Sequence, residues 1–441
     1  MSLRGALVLC RHLRRTAFPD TAHDLLSKSG KCVAVQVSSL LVVGDCFVGS
    51  RKVPSRNDIL GIDVFCCSFP LSFIIADMDI FIKVSVFIVG FVVVALTIFS
   101  ALSTFVLPRA ARSQLNRIVF GIMRRVFEFI LKFARTYERR DAIMAYYSPL
   151  SLIMLIPVWY LLILAGYAAM YWSLGVGDLV SDFRFSGSSL LTLGFAASDY
   201  LSVNALAFSE ALIGLLLVAL LMAYLPAMYA AFSRREQAVN MMQIRGGTPP
   251  SALEMLLRFN RIHGLDKLTD YWKTWEAWFA DVEESHTTLP ALVFFRSPRA
   301  ENSWIVSAGA VLDTAALTLS SIDIPYEASG ALCIRAGFLA LRGIADYFDI
   351  SFPRDPHYPV TPITVTRAEY DEVIRKLGDA GLPIKVDREQ AWKDFAGWRV
   401  NYDRVLLVLC SLVMAPQAPW SGDRAPKFKN PPLFFKKKKH H

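Results

Sequence analysis

Residues 186–199 read SGSSLLTLGFAASD. A short apolar, helix-like run leads into Thr192-Leu193-Gly194-Phe195, and an acid, Asp199, follows. The stretch is too short to cross a bilayer, yet it lies between long apolar runs. Residues 84–107, 147–172 and 211–232 carry no charged side chain. Each is long enough for a helix to cross a hydrocarbon core of roughly 30 Å at about 1.5 Å per residue. Three membrane spans are therefore expected, with the quoted stretch dipping in beside the bilayer. Irregular backbone is tolerated at that depth only where it lines a water-filled cavity or is buried in protein.

The composition agrees. The chain has 441 residues, 54% of them hydrophobic, and a mean hydropathy of +0.39, too apolar for an ordinary soluble domain. The net charge is +9, and its placement orients the spans. Residues 108–146 hold nine Lys/Arg against three acids, whereas residues 173–203 hold one base, Arg184, against three acids. Arg234 and Arg235 follow the third span. The positive-inside rule then places the N-terminus outside, the first loop inside, the quoted stretch outside and the long C-terminal region in the cytoplasm of a multi-pass plasma (inner) membrane protein. Basic residues that flank membrane spans argue against a nucleic-acid partner.

The quoted stretch can supply an ion site. A half-helix over residues 186–191 would end with its carbonyls turned inward, and that end of the helix dipole favours a cation. Residues 192–195 would run extended, with carbonyls and the Thr192 hydroxyl replacing a cation's hydration shell. Gly194 permits the left-handed backbone that such a carbonyl run needs.

Thr192-Leu193-Gly194-Phe195 resembles the selectivity filter of the potassium channel family, whose motif reads T-V/I/L-G-Y/F-G-D. The order span, pore helix, filter, span matches too. Residues 229–237, YAAFSRREQ, are similar to the inner-helix exit of bacterial two-helix channels. The resemblance covers roughly residues 147 to 240. It implies an outer helix (147–172), a pore helix and filter (185–199) and an inner, pore-lining helix (203–232). A single pore unit per chain implies a homotetramer, since a filter needs a ring of four. The permeant ion would be K⁺ or another monovalent cation, with no cofactor and no metal site beyond the permeating ions. Ala196 stands where the family has its second glycine, Leu191 where many members have a second threonine, and the acid is displaced to Asp199. Potassium-selective and mixed cation permeation both stay open.

Other residues fit that pore. Asp178, Asp182 and Asp199 would ring the outer mouth and concentrate cations, or form an ordinary polar loop. Glu210, costly in lipid, should face protein or water and brace the pore helix. Gly214 and Pro226 interrupt the third span and would serve as a hinge or gate, or as a passive kink.

The expected fold class is all-α: integral membrane helices with a re-entrant pore helix and filter loop, then a helical cytoplasmic domain. Residues 1–77 form an atypical extension, and Met78 reads as a natural start for the first span (78–107). Residues 108–146 form a linker whose apolar residues Ile118, Ile122, Val126, Phe129, Ile130 and Phe133 repeat at helical spacing. Arg117, Arg124, Arg125, Lys132 and Arg135 fill the gaps, which suits an anionic inner leaflet or a solvated connecting helix.

Residues 233–430 form the helical cytoplasmic domain, and 431–441 a basic tail. In the domain, Thr248 reads as an N-cap with Pro249 at the first helical position. Trp272, Trp275 and Trp278 mark one packing face, and residues 302–320 and 327–348 read as further helices. Thr366 caps another helix, and Asp387 with Gln390 opens a last long one. An unidentified cytoplasmic ligand or protein remains an open partner. Cys10, Cys32, Cys46, Cys66 and Cys67 precede Met78, and no metal-ligand spacing appears.

Two other functions compete. Glu284-Ser285-His286 has nucleophile and base types, but neighbouring helical side chains are expected to diverge, so an enzyme is not expected. The alternative is a non-conducting membrane scaffold or sensor whose helical domain binds a partner.

Overall fold

The computed structural model describes residues 71–105 and 114–426, with side chains from Met78 onward. The five N-terminal cysteines, the tail 431–441 and most of the 1–77 extension lie outside the described residues. The chain divides into two units, Met1–Ile82 and Lys83–His441. The described part of the first is the beginning of helix α1.

Among the described residues the protein is all-α. The helices are α1 (Leu71–Phe105), α2 (Gln114–Leu131), α3 (Tyr137–Ala145), α4 (Tyr147–Leu174), α5 (Leu179–Leu190), α6 (Leu201–Gly246), α7 (Ala252–Arg261), α8 (Leu268–Thr288), α9 (Trp304–Ser321), α10 (Ala328–Tyr347), α11 (Arg367–Asp379), α12 (Arg388–Arg399) and α13 (Asp403–Leu412). α1 already runs as helix from Leu71, upstream of Met78. Among the described residues, five helical segments are long and apolar enough to cross a membrane: α1, α3 with α4, α6, α9 and α10. By length and hydropathy these are candidate membrane spans, and they suggest a membrane protein.

Those segments differ in what surrounds them. α1, α4 and α6 present large apolar side chains outward, among them Phe91, Leu96 and Phe99, then Ile153 and Leu161, then Phe208, Leu212 and Met222. α9 has almost every side chain buried inside the protein. α1 packs on α4 through two glycines: a Cβ on Gly90 would lie 2.6 Å from the Gly166 carbonyl oxygen. Trp159, fully buried, donates its indole N–H to Ser100 (3.3 Å). Close approach through small residues, with a polar bond across it, is how helices associate where lipid removes the hydrophobic drive.

The C-terminal region has its own core around α9. Trp272, Trp275 and Trp278 on α8 are buried in it, so the aromatic stripe packs inward. A buried charge cluster crosses this core. Arg399 on α12 binds Asp313 of α9, Asp403 of α13 (2.7 Å) and the Trp420 carbonyl (2.6 Å).

Two boundaries in the C-terminal region differ from expectation. α7 is capped by Ser251, whose hydroxyl accepts from the Glu254 N–H, not by Thr248. The last long helix is two: α12 ends at Arg399 and α13 begins at Asp403. Arg342 grips the Asn401 carbonyl (2.8 Å) and Tyr402 donates to Asp313 (2.9 Å), which holds the break open.

The α11 N-terminus gives a test of the local electrostatics. Thr366 is the expected cap, and with Glu369 it forms a capping box. Partial burial opposes the Glu369 charge, but bonds from Arg424 (2.9 Å) and from the Thr366 N–H (2.8 Å) outweigh it and hold the pKa at about 2, below the usual 4.5. A depressed carboxyl pKa stabilises above its unfolded value and loses that contribution as pH falls toward the folded one. Wild type should melt above Glu369→Gln at pH 7, and the gap should close between pH 4.5 and about 2. Melting curves of both proteins across that range check it.

Candidate ion-conduction site

α5 is the half-helix beside the spans, and it starts earlier than expected. Asp178 caps it in a reciprocal box with Ser181, so the helix begins at Leu179 and ends at Leu190. Asp178 therefore sits at the helix start. Asp182 lies in its first turn, fully buried, with neither carboxylate oxygen bonded among the described residues. Only Asp199 is an exposed acid of the loop after α5.

The loop that follows is built on one residue, Ser188. Its carbonyl accepts from the N–H groups of Leu193 (2.8 Å) and Gly194 (3.3 Å), and its hydroxyl accepts from the Ala196 N–H (3.1 Å). Successive N–H groups converge in this way where residues of opposite handedness alternate. Thr192 has φ +55° and Gly194 φ +70°, while Leu193 and Phe195 keep negative φ. The N–H groups of Leu193, Gly194 and Ala196 are thus turned back onto the last turn of α5. Among the described residues, no N–H or hydroxyl donates to the carbonyls of Thr192, Leu193, Gly194 or Phe195. These four residues are exposed.

Gly194 adopts the left-handed backbone expected of it. Thr192 does so as well, which the sequence did not indicate; a β-branched residue at positive φ is an uncommon, strained state of the kind that clusters at functional sites. Ala196, in the place of the second glycine, keeps ordinary negative φ.

Three helices hold this loop in place. Glu210 on α6 is buried and accepts hydrogen bonds from Ser186 on α5 and from Tyr171 on α4 (2.9 Å). α4 adds Tyr160, donating to the Gly214 carbonyl (2.7 Å), and Tyr167, bonded to Ser209 (2.8 Å). The 160, 167 and 171 spacing places these tyrosines on one helix face, a signal that could have been read from sequence. A Cβ on Gly214 would collide with the Leu190 carbonyl oxygen, the last residue of α5. Gly214 thus allows α6 to touch the end of the half-helix. α6 runs unbroken through both Gly214 and Pro226 to Gly246, well beyond residue 232.

That extension ties α6 to the C-terminal region. Arg235, fully buried, donates to the carbonyls of Leu292 (2.9 Å) and Phe295 (2.8 Å) and pairs with Glu236 (2.8 Å). At the start of α4, Ser148 donates to the Ala291 carbonyl (2.7 Å). One short segment, residues 289–295, is therefore gripped by α4 and α6 together.

The Ser285–His286 pair differs from expectation: its side chains do not diverge, with Ser285 Oγ 3.1 Å from His286 Nδ1. Its chemistry is nevertheless set by Arg235, which stands 3.2 Å from His286 Nε2. A guanidinium only donates, so Nε2 accepts and Nδ1 carries the hydrogen toward Ser285. Burial, and then the Arg235 charge, push the His286 pKa well below its usual value, so the ring stays neutral. It cannot take a proton from Ser285. The described residues contain no cluster of His, Cys, Asp and Glu able to hold a metal.

No protein-family model, curated protein or solved structure matches this chain.

Proposed function

We propose that this protein is a membrane channel for potassium or other monovalent cations, in which four chains surround one pore. The observation that carries the reading is the run Thr192 to Phe195, four exposed residues at the end of a half-helix whose carbonyls meet no donor among the described residues. Such a run can replace a cation's hydration shell. The resemblance of Thr192-Leu193-Gly194-Phe195 to a potassium-channel filter supports the same chemistry.

In this reading α1, α4 and α6 cross the plasma membrane, with α4 outermost and α6 lining the pore. α9 and α10 belong to the cytoplasmic domain. α9 offers lipid no face, and Asp313 on it is bonded to Arg399 and Tyr402. Leu193 and Phe195 are 61% and 63% exposed in a single chain. Neighbouring chains of a tetramer would cover them.

Gly194→Ala tests the reading. Nothing lies within 4 Å of the added Cβ, so the change costs no contact. It strains the backbone instead, by about 1–2 kcal/mol at a left-handed position. Tracer Rb⁺ uptake into liposomes holding the wild type should fall to background in the folded Gly194→Ala protein. No uptake by a folded wild-type tetramer, or equal uptake by the variant, would overturn it in favour of a non-conducting scaffold.

A further inference from the structure

α2 carries an apolar stripe that the other described residues leave exposed. Ile118, Ile122, Val126, Phe129 and Ile130, with Phe133 just beyond the helix, are each 40–75% exposed. The helix cannot simply roll to hide them, because its other face is occupied. Val119, Phe127 and Leu131 are buried, and Phe127 packs edge-on to Tyr147 at the start of α4 (5.7 Å). Tyr147 also donates to the Phe120 carbonyl (3.2 Å). Arg124 is buried and bonds Glu128 (3.0 Å), so it fills no gap on the polar side.

The remaining bases, Arg117, Arg125, Lys132 and Arg135, are exposed. Lys132 lies over the Phe129 ring (5.6 Å). The position of α2 is fixed too: Asn116 donates to Thr104 near the end of α1 (2.6 Å). The stripe is therefore placed where two expected membrane spans, α1 and α4, leave the bilayer.

We infer that α2 lies in the bilayer surface, its stripe sunk into the acyl–headgroup boundary and its exposed bases on anionic lipid headgroups. An apolar face rimmed by bases is the pattern of an interfacial helix. Each base near such a surface contributes about 1 kcal/mol. A second copy of this face is a poor occupant, because pairing would bring like charges together. A contiguous apolar stripe left in water would be an aggregation site. The inference rests on α1 and α4 crossing the membrane and does not depend on ion conduction.

The test uses the full chain with its five N-terminal cysteines changed to serine, since Cys333 and Cys410 are buried. Ile122→Cys, Phe129→Cys and, as an aqueous control, Val386→Cys are labelled with an environment-sensitive fluorophore. The proteins are placed in phosphatidylcholine nanodiscs with or without about 30% phosphatidylglycerol, an anionic lipid. Labels at 122 and 129 should be quenched by an acyl-chain nitroxide about threefold or more above the 386 label, and shielded from iodide. Arg125→Gln with Lys132→Gln should reduce that shielding in the anionic discs. Iodide access equal to that of residue 386 would overturn the inference, as a solvated helix. Shielding from both quenchers, unchanged in detergent, would also overturn it, as a face covered by protein.

Discussion

Gly214→Val is expected to abolish cation flux while leaving the C-terminal region folded. The added Cβ would overlap the Leu190 carbonyl oxygen, which is backbone and cannot rotate away. α6 is not free to retreat, because its Gly214 carbonyl accepts from Tyr160 (2.7 Å) and Glu210, one turn earlier, holds Ser186 and Tyr171. The end of α5 must move instead. Ser188 lies in that last turn and anchors Leu193, Gly194 and Ala196. Overpacking of this kind typically costs about 1–3 kcal/mol, and the loop carries the displacement. Rb⁺ uptake should drop to background with an unchanged far-ultraviolet spectrum. Gly214→Ala separates two roles. If Gly214 served only as a hinge, alanine would stiffen the helix and keep the loop in place. Because the collision begins at Cβ, alanine should already lose most of the flux.

The largest stability loss is expected from Arg399→Ala. The guanidinium is fully buried and bonds two carboxylates, Asp313 and Asp403, and the Trp420 carbonyl. Its removal leaves both acids buried. Asp403 keeps the Thr364 N–H (3.0 Å) and hydroxyl (2.8 Å), and Asp313 keeps Tyr402 (2.9 Å). Breaking a buried pair by deleting one partner costs about 3–5 kcal/mol, because the remaining charge is uncompensated. Denaturant unfolding followed by tryptophan emission should show a shift of that size. A loss under about 1 kcal/mol would mean that the cluster adds little to the fold.

The three long helices with charge-free runs were legible because such runs leave a strong mark, whereas α9 and α10, which also reach span length, read only as helices of the C-terminal region. Gly194 was legible because only glycine takes a left-handed backbone freely. Other features depend on partners far away in sequence. Ser188 looks like any helical serine until the loop folds back on it. Asp178 reads as a mouth acid, and only the folded chain shows that with Ser181 it also caps α5. Arg235 and Arg399 carry the same charge as the solvated arginines around them, and only the carbonyls and carboxylates placed against them make burial tolerable. The exposed stripe of α2 was visible as a periodicity, but not that the opposite face was the one taken by Tyr147.

Current through the purified protein in a planar bilayer under a KCl gradient should reverse near the cation equilibrium potential and be lost in Gly194→Ala. No current from the intact tetramer, or reversal near the chloride potential, would contradict the channel reading.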